Sequence, residues 1–238
     1  MLEFLNDGIY KTFVKDNRYM IFLEGLKNTL TITVCGILIG VLIGTLFGIL
    51  KGAKSNLKTN NRLLLAILWV ADKIITVYLS VFRGVPVIVQ ALIWNFVVFK
   101  RLDNVLMVGI VTIGINSGAY VTEIIRAGVQ GIDVGQNEAG RSLGLSNVKT
   151  LCYIILPQAF KNILPTLVNE FISLLKETSV LGVISLMEFT RAGDSVRVLT
   201  YDAVFSLLTV ALFYWSIVTL MTAVMGRIER RMRKNDYR

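Results

Sequence analysis

Long apolar segments alternate with short polar segments along the chain, and this pattern predicts five membrane-spanning helices. Two of the apolar segments, Leu30–Leu50 and Ala203–Gly226, contain no charged residue and are at least as long as the roughly 20 residues that a helix needs to cross a bilayer. We therefore expect an all-α, polytopic membrane protein that forms one transmembrane domain over residues 1–238, with a short amphipathic lead-in. The predicted spans are 26–50, 63–99, 104–126, 162–187 and 203–226, and a polar connector occupies about 127–161.

The second predicted span is interrupted by charged residues and by a proline. Arg83-Gly84-Val85-Pro86 should kink it, because proline has no backbone N–H and disfavours a helical conformation in the residue before it. Asp72, Lys73 and Arg83 are expected to form ion pairs or to extend toward the membrane surface.

The first span contains glycines at every fourth position: Gly36, Gly40, Gly44 and Gly48. Residues at this spacing share one face of a helix. A face without side chains lets a second helix approach to backbone distance. We interpret these glycines as a helix-packing face.

The basic residues indicate how the spans are oriented. The chain carries 25 Lys and Arg against 16 Asp and Glu, and the excess lies beside the apolar segments, mainly in residues 51–62, in the connector and after residue 226. Such clusters are typical of cytoplasmic segments. With five spans, this places the N-terminus outside and the C-terminus in the cytoplasm.

Composition excludes several kinds of site. The chain has no histidine and only two cysteines, so we expect no histidine-based metal centre, no Ser-His-Asp triad and no disulfide framework. It also lacks the Gly-x4-Gly-Lys-Ser/Thr loop of ATP-binding proteins. We expect no catalytic residue, no metal, no cofactor on this chain and no nucleic-acid partner, since its positive charge fits the membrane surface instead.

Polar residues at membrane depth are costly and therefore need an explanation. Thr112, Asn116, Tyr120 and Glu123 form one stripe on the third span, and Ser117 lies beside it. Asn169, Ser173 and Lys176 share a face of the fourth span, next to Glu170. Two interpretations stay open: hydrogen bonding between packed helices, or a water-filled path in which acidic and basic groups meet a zwitterionic solute.

The connector contains the most specific motif in the chain. Glu138-Ala139-Gly140 is followed at fixed distances by Gly144, Ile154, Leu156 and Pro157. Glu138 and Ala139 are expected to start a short helix that ends near Gly144, because glycine adopts a positive φ readily. The spacing resembles Glu-Ala-Ala-x3-Gly-x9-Ile-x-Leu-Pro, the signature of the permease subunits of bacterial ABC importers, with Gly140 in place of the second alanine.

Further motifs resemble the polar amino acid branch of that family. They are Val81-Phe82-Arg83-Gly84-Val85-Pro86, the run from Asn116 to Arg126, and the run from Asn169 to Ser179, and the resemblance extends over about residues 25–230. It implies a permease in the bacterial inner membrane that imports a polar L-amino acid. The residues that would couple it to the ATPase are Glu138, Ala139, Gly140, Gly144, Leu145 and Pro157.

The resemblance also implies the partners of this chain. These are two copies of an ATPase subunit that carry ATP and Mg²⁺, a second permease that is identical or homologous, and an amino-acid-binding protein outside the membrane. Two alternatives remain at this point. An ion-coupled secondary transporter would need an internal repeat and would not need the connector motif. A non-transporting membrane scaffold would explain the connector but not the polar stripes.

Overall fold

The computed structural model describes residues 2–56 and 61–234 of the chain. Within these ranges the fold is helical, and short π-helical or 3₁₀ turns extend several of the helices. Two of the basic residues used to predict the orientation, Lys58 and Arg238, lie outside the described residues. The α-helices are α1 (Leu2–Ile9), α2 (Tyr19–Asn56), α3 (Arg62–Gly84), α4 (Val87–Ile93), α5 (Val105–Gln130), α6 (Val134–Ser142), α7 (Asn147–Thr150), α8 (Leu156–Glu177), α9 (Phe189–Thr200) and α10 (Ala203–Lys234).

The five predicted spans are confirmed as helices, although their boundaries differ from the predicted ones. The described residues contain five helical stretches that are long and apolar enough to cross a membrane. The second predicted span is broken as expected: α3 ends at Gly84, Val85 is extended, and α4 follows Pro86. The fourth begins earlier than predicted and its α-helix ends at Glu177, where a 3₁₀ segment, Thr178–Ile184, continues it. Helix α9 was not predicted.

One compact unit comprises Met1–Ile37, Pro86–Gly114 and Ile172–Val224. Two apolar clusters form its core, one around Ile32 and Leu181 and the other around Phe22 and Phe189. The Asn28 amide donates to the Met187 carbonyl (2.8 Å). The Glu188 side chain accepts the N–H groups of Thr190 and Arg191 and so caps α9. Burial raises the pKa of this carboxyl to about 7 because desolvation disfavours its charged form.

The other unit comprises Leu38–Val85, Ile115–Phe171 and Met225–Arg238. Its apolar core contains Ile75, Leu79 and Ala119. The expectation that Asp72 is paired is confirmed, since the Lys51 ammonium lies 3.7 Å from its carboxylate. Lys73 lies over the Trp69 ring instead, 5.7 Å from the ring centroid.

The glycine face of α2 packs against α5, as predicted. In the first unit, a Cβ at Gly36 would lie 2.7 Å from Ile113. In the second, a Cβ at Gly40 or Gly44 would lie 2.5 Å from Ser117 or Val121. Such distances are too short for carbon atoms, so only glycine permits this approach of the two helices.

Candidate functional site

A cleft of about 470 Å³ opens within the second unit between α3, α5 and α8. Its lining combines small residues with a few polar side chains of opposite charge. A concave site with few, converging polar groups is typical of small-molecule binding. The lining residues are Arg83, Tyr120, Glu123, Ile124, Ala127, Gly128, Gly131, Asn162 and Thr166.

The charged groups of the cleft are held by neighbouring side chains. The Arg83 guanidinium lies over the Tyr120 ring, 5.6 Å from its centroid, at a distance typical of a cation–π contact. Glu123 forms an ion pair with Arg126, one turn further along α5, and Arg126 also donates to the Gln130 side chain (2.6 Å). The cleft thus contains the Arg83 guanidinium, which can bind a carboxylate, and the Glu123 carboxylate, which is already paired with Arg126.

The structure separates the predicted stripe of α5 into two parts. Tyr120 and Glu123 line the cleft, whereas Thr112 and Asn116 are buried. The Thr112 hydroxyl donates to its own helix at the Val108 carbonyl (2.8 Å). The Asn116 amide donates to the Phe82 carbonyl of α3 (2.9 Å), while its Oδ1 accepts no hydrogen bond from the described residues.

The predicted residues of α8 lie further along the helix than those that line the cleft. Ser117, which is buried, donates to the Glu170 carboxylate (3.3 Å). Asn169 and Lys176 are exposed, and Ser173 is half-buried. The cleft residues of α8 are Asn162 and Thr166, which precede Asn169, Ser173 and Lys176 at alternating spacings of four and three.

Sequence reasoning therefore missed three polar cleft residues: Arg83, Asn162 and Thr166. The spacing signal for the two residues of α8 was present, because they continue the predicted stripe toward the N-terminus of the helix. For Arg83 the sequence predicts only an ion pair or a side chain that extends toward the membrane surface. Among the described residues, no group of three or more acidic or cysteine side chains could hold a metal ion.

The connector folds into a short helix that ends in a glycine cap. Helix α6 begins at Val134 rather than at Glu138, because the Asp133 side chain accepts the Gly135 N–H (2.6 Å) and caps it. The helix ends before Gly144, as predicted, and Gly144 has a φ of +78°. The Gly144 N–H donates to the Arg141 carbonyl and the Leu145 N–H to the Gly140 carbonyl. This pair of bonds forms a Schellman motif.

The connector exposes apolar side chains in a part of the chain that is otherwise polar. Leu143 is 80% exposed, Tyr153 75%, Val134 71% and Val148 69%. Exposed apolar groups that cluster in this way mark interaction sites. Pro157 lies at the start of α8, directly after a π-helical turn, Leu151–Ile155, where its lack of an N–H suits the change of helix type.

Gly140, the one departure from the family signature in this motif, is explained by its neighbour Thr150. A Cβ at Gly140 would lie 2.7 Å from the Thr150 Cγ2 and 2.9 Å from its Oγ1. Thr150 is fully buried, and its hydroxyl accepts or donates no hydrogen bond among the described side chains and backbone. The glycine thus allows α6 to pack closely on the turn that contains Thr150.

We expect Gly140→Ala to weaken the connector by about 1–3 kcal/mol, the usual cost of overpacking, and to lower transport-coupled ATP hydrolysis of the assembled complex. Thr150→Ala removes both clashing atoms, so the double variant should recover the activity of Thr150→Ala alone. Limited proteolysis of the connector and hydrolysis assays measure the two effects. A double variant that is no better than Gly140→Ala would contradict the steric explanation.

Comparison with known proteins identifies the family. The family described as the inner membrane component of binding-protein-dependent transport systems matches residues 63–234. The arginine transport system permease protein ArtQ of Bacillus subtilis is 38% identical over 172 residues, which cover 71% of this chain and 77% of ArtQ. The glutamine transport system permease protein GlnP of Escherichia coli K12 is 37% identical over 169 residues, covering 69% and 77%.

Solved structures agree with these relatives. An amino acid ABC transporter crystallised with histidines has a chain that is 35% identical, with a TM-score of 0.78 over 92% of this chain and 98% of that one. The MetNI methionine ABC transporter shares the fold, with a TM-score of 0.73 at 20% identity over 90% and 96% of the two chains. This chain belongs to the family of inner membrane components of binding-protein-dependent transport systems.

Proposed function

We propose that this chain is the permease subunit of an ATP-driven importer and that it carries a polar L-amino acid across the inner membrane. The whole of residues 1–238 serves as one permease domain. The observation that carries the substrate class is the cleft, where Arg83 would bind the carboxylate of a zwitterion and its ammonium group would lie beside the Glu123–Arg126 pair. The relatives named for arginine and glutamine support it.

In this proposal the connector couples the permease to a separate ATPase. The exposed Leu143, Val134 and Tyr153 would pack in a groove of the ATPase, around the helix that contains Glu138 and Ala139. ATP and Mg²⁺ belong to two copies of that subunit, since this sequence lacks a phosphate-binding loop. A second permease, identical or homologous, and an external amino-acid-binding protein complete the complex.

The solute path would run along α5 and α8. Tyr120 and Glu123 contact the solute in the cleft, together with Arg83. Thr112, Asn116 and Ser117 are buried and would support the proposed path without contacting the solute. Asn169, Glu170, Ser173 and Lys176 follow the cleft residues along α8 and would continue the proposed path. Because a permease must release its solute, the site should bind weakly, and the external binding protein should supply the capture affinity.

Purification of the complex and its reconstitution in vesicles test the function. We expect an ATPase to copurify, and the loaded binding protein to stimulate both ATP hydrolysis and uptake of one group of polar amino acids in a competition series. Ion-driven uptake by this chain alone would support a secondary transporter instead. Solute binding without any flux would support a scaffold.

The orientation can be tested with cysteines. In a Cys35→Ala background, we expect exposed Cys152 to react with a membrane-impermeant thiol reagent only after the cytoplasmic side is opened. In a background that lacks both native cysteines, Lys11→Cys and Asp103→Cys should react in intact cells. Lys11 precedes the first span and Asp103 follows the second, and both positions lie on the predicted outer side. Labelling of Cys152 in intact cells, with both outer positions silent, would invert the orientation.

A further inference from the structure

Two side chains join α3 to α5 through reciprocal hydrogen bonds in the second unit. The Tyr78 hydroxyl of α3 donates to the Ile115 carbonyl of α5 (2.5 Å). The next residue of α5, Asn116, donates its amide N–H back to the Phe82 carbonyl of α3 (2.9 Å). Tyr78 and Phe82 are one helical turn apart, so the two bonds lie on neighbouring turns of the same helix pair. We call this pair of bonds the α3–α5 clamp.

The break in the second span explains why the Phe82 carbonyl is available to the Asn116 amide. In a continuous helix the Phe82 carbonyl would accept the N–H of residue 86, but that residue is Pro86 and has none. Helix α3 ends at Gly84, and Val85 is extended (φ −96°, ψ 130°). A backbone carbonyl that loses its helical donor at membrane depth needs donors from elsewhere, and Asn116, which is 1% exposed, is one of them.

The other half of the clamp depends on a glycine. A Cβ at Gly118 would lie 2.6 Å from the Tyr78 hydroxyl oxygen, so a larger residue there would displace that hydroxyl. The Tyr78 ring is also fixed by aromatic contacts on both sides, with Phe47 (5.2 Å between ring centroids) and Phe82 (5.0 Å). The substitution Tyr78→Phe therefore removes the hydroxyl and keeps the packing of the ring.

The clamp ends next to the cleft. Arg83 directly follows the clamped Phe82 carbonyl, and its guanidinium rests on Tyr120, which is one turn along α5 from Asn116. Arg83 itself is exposed, and the space around the following Gly84 is open, since a Cβ there would meet no atom within 4 Å.

We propose that Tyr78 and Asn116 are positioning residues: the α3–α5 clamp fixes the end of α3 at the proline break and thereby holds Arg83 in the cleft. This inference rests on the proposed function, in which Arg83 contacts the carboxylate of the solute. In this inference Asn116 affects solute binding by positioning Arg83 and does not contact the solute itself. The ordinary alternative is that both bonds only stabilise helix packing, in which case their loss would affect assembly and not the solute dependence of transport.

The first test separates these two roles by transport kinetics in reconstituted complex. Asn116→Leu and Tyr78→Phe should each raise the half-saturating concentration of loaded binding protein or solute by about three- to tenfold. This range corresponds to the loss of one hydrogen bond between membrane helices. The maximal rate should change little. In an Arg83→Ala background neither should add a further increase. Thr122→Val is the matched control, since the buried Thr122 hydroxyl donates only within α5, to the Gly118 carbonyl.

The second test measures the mobility of the end of α3 directly and needs no transport assay. In a protein that lacks both native cysteines, a spin label at Arg83→Cys should become more mobile when Asn116→Leu or Tyr78→Phe is added, but not when Thr122→Val is added. Unchanged label mobility, or an equal kinetic effect in the Arg83→Ala background, would overturn the clamp. Increased mobility with unaltered solute dependence in every variant would leave the clamp standing and overturn the cleft as the solute contact.

Discussion

Gly144→Val is expected to uncouple ATP hydrolysis from transport while leaving the protein inserted in the membrane. Gly144 has a φ of +78°, a conformation that β-branched residues resist. The strain should cost about 1–3 kcal/mol, and the last turn of α6 can relieve it by giving up the Gly144–Arg141 and Leu145–Gly140 bonds. We expect stimulated ATP hydrolysis and uptake to fall at least about tenfold, measured on reconstituted complex.

Gly144→Asn is the control for this substitution. Asparagine tolerates a positive φ better than other side chains do, and the space around position 144 is open, since a Cβ there would meet no atom within 4 Å. The asparagine variant should therefore retain most activity although it also adds a side chain. Equal loss in both variants would mean that the surface around Gly144 excludes side chains and that its backbone conformation is not what matters.

The sequence predicted the features of this fold that depend on local chemistry. The spans follow from the length of their apolar runs, and the break at Pro86 follows from the missing backbone donor. The end of α6 near Gly144 follows from a glycine placed after a polar helical segment. Each of these features is decided within a few residues of chain, so the pattern alone is sufficient.

Features that depend on which side chain finds a partner were not predictable in the same way. The sequence predicts that α6 starts at Glu138, but the Asp133 side chain caps the helix earlier, so that it starts at Val134. Helix α9 is polar on average and depends on the buried Glu188 cap and on packing of Phe189, so it lacks the long apolar run by which the spans were found. In both cases a tertiary or capping contact outweighs the pattern.

The sequence likewise predicts only some features of the candidate site. The polar stripe of α5 was visible at helical spacing, but spacing cannot tell that Thr112 bonds within its own helix and Asn116 with α3, whereas Tyr120 and Glu123 face a cleft. That distinction depends on the neighbouring helix at each turn. Arg83 lies in the last turn of α3 and reaches the cleft because its guanidinium rests on the Tyr120 ring of α5, a contact that spacing along one helix cannot predict.

The glycine face of α2 gives the largest expected effect on stability. A Cβ at Gly44 would lie 2.5 Å from the Val121 Cγ1 and 2.9 Å from the Thr122 backbone nitrogen. Because the second of these atoms belongs to the backbone of α5, no change of side-chain rotamer can relieve the clash. We expect Gly44→Ala to separate the two helices locally, to cost about 1–3 kcal/mol or more, and to lower the Tm of the purified protein in detergent by several degrees.

Gly226→Ala is the matched control, because it adds the same methyl group to a glycine in another long helix. A Cβ at Gly226 would meet only the end of the Arg230 side chain, at 3.8 Å, which is an ordinary contact. Both substitutions gain the helix propensity of alanine, so the difference between their Tm values isolates the packing contact. If Gly44→Ala is as stable as Gly226→Ala, then α2 and α5 do not approach as closely as the glycine spacing requires.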